Sequence, residues 1–310
     1  MKNLKKIKNR FVLGTVQLGM KYGLFNNHGQ PNKEESFDIL DTALAFGVNT
    51  FDTAWAYGTS EDIIGEWIQS RSLAGELNII SKMKPHALND YADGVKATDI
   101  VQAELEKSLI RLKVKTLDGY LFHSPHYIYL KHMVAGLQKA KDSGLVKNIG
   151  VSIYDIGEAL QAAELGVDYI QVPYNVFDQR LDSTNFFDIA KKNKVKVFAR
   201  SPFLQGLLLM KPNELPSHLS YLINYLEKFK KISEKYNITP LEASLRFVDV
   251  KCRADCIVFG VDTVEQLKRD IDLADNYSPV NNSLMVELVE AFSNLNHGAI
   301  NPSLWGKIKK

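Results

Sequence analysis

Short runs of Val, Ile, Leu and Phe alternate along this chain with longer stretches of helical periodicity, almost from end to end. That rhythm predicts parallel strands joined by crossover helices. The apolar runs place strands near 11–14, 48–52, 77–82, 117–123, 147–152, 168–172, 195–200 and 256–260. Eight such strands are the number that closes a barrel. Helical stretches fall near 34–46, 60–70, 98–112, 131–143, 155–164, 184–193, 221–250 with a break at Pro240, 263–275 and 283–293, and the segment from Asn294 has no period. Gly47, Gly144 and Gly166 punctuate helix ends, where glycine takes the left-handed cap at little cost. Thr239, Pro240 and Glu242 read as a fresh helix start.

The strands carry few polar residues, as strands do when helices cover one face and a barrel interior the other. An open doubly wound sheet shares that pattern. However, no Gly-x-Gly-x-x-Gly joins a strand to a helix, and the stretch from Gly14 to Gly19 lacks the Lys-Ser/Thr ending of a phosphate loop. The expected architecture is therefore an α/β chain folded as one (β/α)8 TIM barrel over 1–310, with an extra C-terminal helix and tail and no linker dividing it.

Composition narrows the partners. With 38 basic against 36 acidic side chains the net charge is only +2, too small an excess for a nucleic-acid footprint. The basic start (Lys2, Lys5, Lys6, Lys8, Arg10) and end (Lys307, Lys309, Lys310) read as solvated termini. No run approaches the roughly 18 apolar residues that span a bilayer. The stretch from Phe11 to Gln17 is broken by Gly, Thr and Gln, unlike a secretion signal. Cys252 and Cys256 lack the further ligands of a zinc site, so no metal is expected, and the thiols read as reduced cytoplasmic ones.

Three strand ends carry residues foreign to a hydrophobic stave: Asp52, Lys82 and His123, with Tyr57 five residues beyond the first. In a barrel of this kind the carboxyl ends of the strands and the loops after them build the active site. Asp52 and Lys82 alone would make a structural ion pair, and a lone His123 is more often a satisfied histidine. Tyr57 changes the reading, because an ammonium beside a phenol favours phenolate and lowers a pKa that starts near about 10. A tyrosine tuned in that way donates a proton to a carbonyl oxygen.

The segment Gly47-Val48-Asn49-Thr50-Phe51-Asp52-Thr53-Ala54, with Tyr57-Gly58, Ser60-Glu61 and Gly65, resembles the signature of the aldo-keto reductase family. Ile80-Ser81-Lys82, the stretch from Asp118 to Pro125, and the stretch from Gly144 to Ser152 are similar to further segments of that family. The resemblance implies a barrel that binds an extended nicotinamide dinucleotide, with NADP (NADPH) favoured and NAD the alternative, and a small-molecule carbonyl substrate. It assigns Tyr57 as general acid, Lys82 as its tuning cation, Asp52 as the holder of Lys82, and His123 as the group that positions the carbonyl. It also implies that Ser152 and Gln171 hold the carboxamide. Arg200, Ser201, Pro202, Phe203 and Gln205 would meet the nicotinamide face and diphosphate, and Gly260, Gln266 and Asp270 the adenosine end. Gly14, Thr15 and Asp52 complete that set.

Three departures from the family pattern stand out. Ile153 replaces an asparagine, Arg200 stands where many members stack a tyrosine, and Asp262, Thr263 and Gln266 stand where enzymes for the phosphorylated cofactor offer Lys or Arg. Lys268 and Arg269 lie close enough in sequence to substitute. The long loop from Gly14 to Glu34 carries Tyr22, Phe25 and His28. With Trp55, His126, Asn175 and Arg180, these residues suggest a polar substrate such as a sugar derivative, and the tail with Trp305 is expected to fold over the mouth. Two alternatives remain open: a low-turnover sensor or regulatory barrel, as the similar potassium-channel beta subunits are, and Schiff-base chemistry at Lys82.

Overall fold

The computed structural model describes residues 10–24, 26–92, 94–276 and 282–305. Phe25 and the lysines of both terminal basic segments lie outside the described residues. Eight parallel strands close into a barrel in sequence order: β1 (Phe11–Gly14), β2 (Thr50–Asp52), β3 (Asn78–Lys82), β4 (Leu117–Phe122), β5 (Val146–Ser152), β6 (Tyr169–Pro173), β7 (Lys196–Arg200) and β8 (Cys256–Gly260). β8 pairs back onto β1, with Gly14 opposite Gly260.

The helices of the outer ring form where the sequence supplies their caps. Asn32 and Glu35 make a reciprocal capping box on the helix Lys33–Ala45, and Asp155 and Glu158 make another on Ile156–Leu165, each satisfying amides that the first turn leaves unpaired. Gly166 closes Ile156–Leu165 in the left-handed conformation. The long helical stretch after β7 is two helices, Ile223–Lys235 and Pro240–Lys251, and the Thr239 side chain accepts from the Glu242 amide at the second start. The predicted helix at 184–193 runs from Phe186 to Lys192, because Thr184 is still tied to the preceding 3-10 turn through the Leu181 carbonyl and takes the Phe186 amide on its hydroxyl. β2 begins at Thr50 because the chain is still leaving the preceding helix at Val48, whose amide bonds the Ala43 carbonyl. Arg10 is not a solvated terminal charge; it forms an ion pair with Asp249 at 3.0 Å.

Strand alternation sorts the barrel into layers. Val12, Ile80, Leu121, Tyr169, Phe198, Cys256 and Val258 form their own buried cluster, separate from the main core between strands and helices. Two residues further along the same strands stand Gly14, Lys82, His123, Gln171, Arg200 and Gly260. The polar ring is thus the next inward layer above an apolar floor. This layer lies at the end where TIM-barrel sites are built.

The C-terminal segment departs from expectation. Residues 294–305 include a helical turn at His297–Ile300, and Trp305 is buried, donating to the Gly298 carbonyl at 3.0 Å. Tyr221 donates to the same carbonyl at 3.1 Å. None of these residues borders the cavity at the barrel mouth, so through Trp305 the tail packs to the side instead of covering it. Among the described residues, no helix is long and apolar enough to cross a membrane.

Candidate active site

Lys82 is 1% exposed and Asp52 3%. A lone charge so enclosed would be costly, and here the pair satisfies itself. Lys82 Nζ donates to both Asp52 oxygens, at 2.8 and 2.7 Å, and to the Thr53 carbonyl at 2.9 Å. The Tyr57 hydroxyl is 3.4 Å from the same nitrogen. His123 sets its ring edge-on to Tyr57, with centroids 5.9 Å apart. All four groups predicted from the strand ends therefore meet at one place.

One electrostatic expectation is reversed. Burial, reinforced by Asp52, holds the Tyr57 phenol above its ordinary pKa, while Arg200 pulls the other way. The Lys82 ammonium, held by both Asp52 oxygens, does not outweigh that burial. Burial also draws the Lys82 ammonium downward, opposed by Asp52. Tyr57 consequently stays protonated across the working pH range, as a proton donor must before it acts.

Burial, with help from the charges on Lys82 and Arg200, brings His123 down to about 3. Its imidazole is neutral, and Nδ1 is buried without a partner. A histidine depressed in the folded state binds fewer protons there than in the unfolded chain. Its stabilising contribution is therefore complete above about pH 6.5 and is lost on acidification at up to about 1.4 kcal/mol per pH unit. Asp270, raised by burial to about 6, has the opposite slope between its unfolded value and 6. His123→Asn, compared with the parent by urea unfolding between pH 7 and 4, isolates the first effect. The parent is expected to lose more stability than the variant, and parallel profiles would contradict the neutral buried imidazole.

The loop bearing Tyr57 is held from beneath. Thr15 donates to the Asp52 carbonyl, Ser60 to the Thr15 carbonyl, and Thr53 to the Ser60 hydroxyl, all at 2.9–3.0 Å. Gly19 lies against this turn so closely that a β-carbon there would sit 1.7 Å from the Tyr57 carbonyl oxygen. Gly19→Ala is expected to push Tyr57 out of line. A misplacement near 1 Å costs about 10²-fold in rate, read as turnover lost with the far-UV circular dichroism intact; unchanged turnover would show that the turn tolerates the shift.

A cavity of about 420 Å³ opens above this centre. Gly14, Thr15, Asp52, Ser152, Arg200, Ser201, Pro202, Phe203, Gln205, Gly260, Gln266 and Asp270 border it, as do Tyr57, His123 and Tyr22. Gln171 lies just beneath the wall: its amide donates to Asp52 and its Oε1 is buried without a partner. Arg200 stacks on Tyr154 at 4.6 Å and donates to the Ile153 carbonyl at 3.0 Å. On the long loop after β1, Tyr22 and Leu24 bond to Gln205 and Asn26 to Asp262, and Tyr22, Gly23 and Asn26 border the cavity.

Four expected substrate residues stand elsewhere. Trp55 lies beneath the Lys84 ammonium, 4.8 Å from its ring centre, and His126 is exposed and stacks on His86. Asn175 is buried, accepting from the Phe177 and Asp178 amides and donating to the Ser201 carbonyl. Arg180 is clamped by both oxygens of Asp178, at 2.8 and 2.9 Å. None of the four borders the cavity, nor do His28 and Lys268. Sequence reasoning missed Gln17, Asn26 and Tyr154 on the wall. Tyr154 had a signal, since it shares the inward parity of Ser152.

Lys82 is not placed for Schiff-base chemistry. Its nitrogen is spent on Asp52 and Thr53, and it does not border the cavity. Cys252 and Cys256 are buried, and burial pushes the Cys252 thiol up to about 12.

Fold and cavity together define a (β/α)8 barrel protein that works at the carboxyl ends of its strands. The Aldo/keto reductase family profile matches residues 10–288, and the chain belongs to that family. A Bacillus subtilis relative, the uncharacterized oxidoreductase YqkF, is 26% identical over 78% of this chain and 83% of its own length. Glyoxal reductase, also from B. subtilis, is 30% identical over 70% of each chain. The solved structure of aldo-keto reductase AKR11C1 from Bacillus halodurans (holo form) superposes with a TM-score of 0.74 at 18% identity, covering 96% of this chain and 100% of that one. These relationships support carbonyl reduction as the general chemistry, and the family generally uses nicotinamide cofactors.

Proposed function

We propose that the protein reduces an aldehyde or ketone by hydride transfer from a reduced nicotinamide dinucleotide, with Tyr57 giving the proton. The observation that carries this reading is the convergence of the Tyr57 hydroxyl, the Lys82–Asp52 pair and the His123 ring at the base of one cavity. When bound, the reduced nicotinamide would supply the hydride to the carbonyl carbon. Tyr57, kept neutral by burial, releases its proton to the carbonyl oxygen as negative charge grows there. Lys82 then faces a developing phenolate 3.4 Å away, and that contact strengthens only as the charge forms, which is where stabilisation accelerates a reaction. Neutral His123 is suited to orient the carbonyl oxygen without adding a competing charge.

The residues present fit such a dinucleotide. Gln171 Oε1, buried and unpartnered, is an acceptor waiting for an amide N–H, and Ser152 is next to it through the register of β5 and β6. These two would hold the carboxamide. Arg200, Ser201, Pro202, Phe203 and Gln205 would hold the middle, and Gly260, Gln266 and Asp270 the far end. The sugar-derivative substrate loses its support, because four of the side chains behind it lie off the cavity wall. Tyr22, Tyr154, Met20 and Ala56 stand on that wall, so an aldehyde or ketone with a flat or apolar body suits it better.

Single-turnover oxidation of bound reduced cofactor against a panel of carbonyls tests the reading. Glyoxal is the first member, given the relative of that name. Rapid oxidation with at least one carbonyl is expected. Tight cofactor binding with no oxidation by any would favour the sensor.

A further inference from the structure

The cavity has two chemically different ends. One holds Tyr57 and His123 over the barrel axis. The other runs out between the loops after β1 and β8 to the first two turns of the helix Val264–Asp275, where Asp262, Gln266, Arg269 and Asp270 border it. A dinucleotide with its reacting ring at the first end must place its second nucleoside at the other. The charges at that far end therefore decide which form of the second ribose is accepted.

Those charges are two carboxylates against one guanidinium. Arg269 donates from both Nε and an Nη to Asp270 Oδ1, each at 3.1 Å, so its charge is already matched. Asp262 has no cation within ion-pair distance among the described residues. Its Oδ1 accepts the Asn26 amide at 3.1 Å, its backbone N–H donates to Gln266 Oε1 at 2.7 Å, and His28 on the loop after β1 acts on it only at longer range. Burial raises the pKa of both acids, Asp270 being buried and Asp262 partly so. A second dianionic group would meet an uncompensated carboxylate there, whereas a sugar hydroxyl would meet an acceptor. Dinucleotide sites in other folds follow the same rule, with an acid on the ribose hydroxyl for the unphosphorylated form and an arginine for the phosphorylated one.

We propose that Asp262 makes this barrel selective for the unphosphorylated dinucleotide, its carboxylate taking the hydroxyl of the second ribose and rejecting a phosphate in the same place. The proposal rests on the reading that the cavity holds a nicotinamide dinucleotide, and it reverses the preference expected from the family resemblance. Asn26 is a positioning residue in it, since its amide fixes the Asp262 rotamer and joins the loop after β1 to the site.

Equilibrium titration of intrinsic fluorescence with NADH and with NADPH tests it without turnover. NADH is expected to bind at least about tenfold more tightly, about 1.4 kcal/mol. Asp262→Asn should tighten NADPH by roughly tenfold through loss of one charge, with NADH changing by less than about threefold. Arg269→Gln serves as the control: if Arg269 anchors a phosphate instead, this variant alone weakens NADPH. NADPH binding as tightly as NADH to the parent, or an Asp262→Asn variant with an unchanged ratio, overturns the proposal while leaving the proposed reduction intact. Failure of both nucleotides to bind overturns the dinucleotide reading itself.

Discussion

Tyr57→Phe is expected to lower turnover by about 10²–10⁴-fold, the usual cost of removing a positioned general acid. Cofactor affinity should stay within about twofold, because among the described residues the hydroxyl removed makes one long contact, 3.4 Å to Lys82. The ring keeps its edge contact with His123, so the fold should be undisturbed. Steady-state rates paired with a binding titration separate the two effects. Unchanged turnover would remove Tyr57 from the chemistry, and a parallel loss of affinity would make it a binding residue.

The second large effect concerns the buried ion pair. Lys82→Met strands the Asp52 carboxyl at 3% exposure, with the Gln171 amide its one remaining side-chain donor among the described residues. Breaking one partner of such a pair costs about 3–5 kcal/mol. Removing both charges together, Asp52→Asn with Lys82→Met, should cost less than the sum of the single changes, since the stranded carboxylate is the main penalty. Urea unfolding of the two single variants and the double variant measures the coupling. Both Lys82→Met proteins should be nearly inactive, because the developing phenolate then lacks its cation. Additive stabilities would mean that the pair is not acting as a unit.

Much of this arrangement is legible in the chain because a barrel strand alternates strictly. Asp52, Lys82 and Arg200 end their strands, His123 follows the last residue of β4 and Gln171 lies within β6, and parity alone puts Lys82, Gln171 and Arg200 directly above Ile80, Tyr169 and Phe198. The loops beyond the strands have no such period, and there the expectations failed. Asn175 and Arg180, expected to meet substrate, are both occupied by neighbours two or three residues away, in an Asx-type turn at Phe177–Asp178 and a fork on Asp178. The spacing Asn175, Asp178, Arg180 carries that local signal, since asparagine so often bonds the backbone just ahead of it. Asn26 repeats the device, accepting from the His28 and Gly29 amides, while its own amide reaches Asp262 236 residues away. No local pattern reveals that second bond.

The direction of the Tyr57 shift was hidden for a related reason. Sequence places an ammonium near a phenol, but it does not show that both oxygens of one carboxylate already claim that ammonium. Burial then decides the sign. Lys82 favours the phenolate as it forms, but by less than burial opposes it, so the pair can be expensive to break and still leave Tyr57 protonated at rest.

The central claim is that hydride and proton reach a carbonyl together above Tyr57. The most direct measurement uses reduced nicotinamide deuterated at the transferable position, incubated with the protein and a reducible aldehyde, with the alcohol product analysed by mass spectrometry and NMR. One deuterium on the former carbonyl carbon is expected, with the hydroxyl proton drawn from the protein and solvent. Alcohol free of deuterium, or cofactor left unoxidised beside every aldehyde tried, would contradict it.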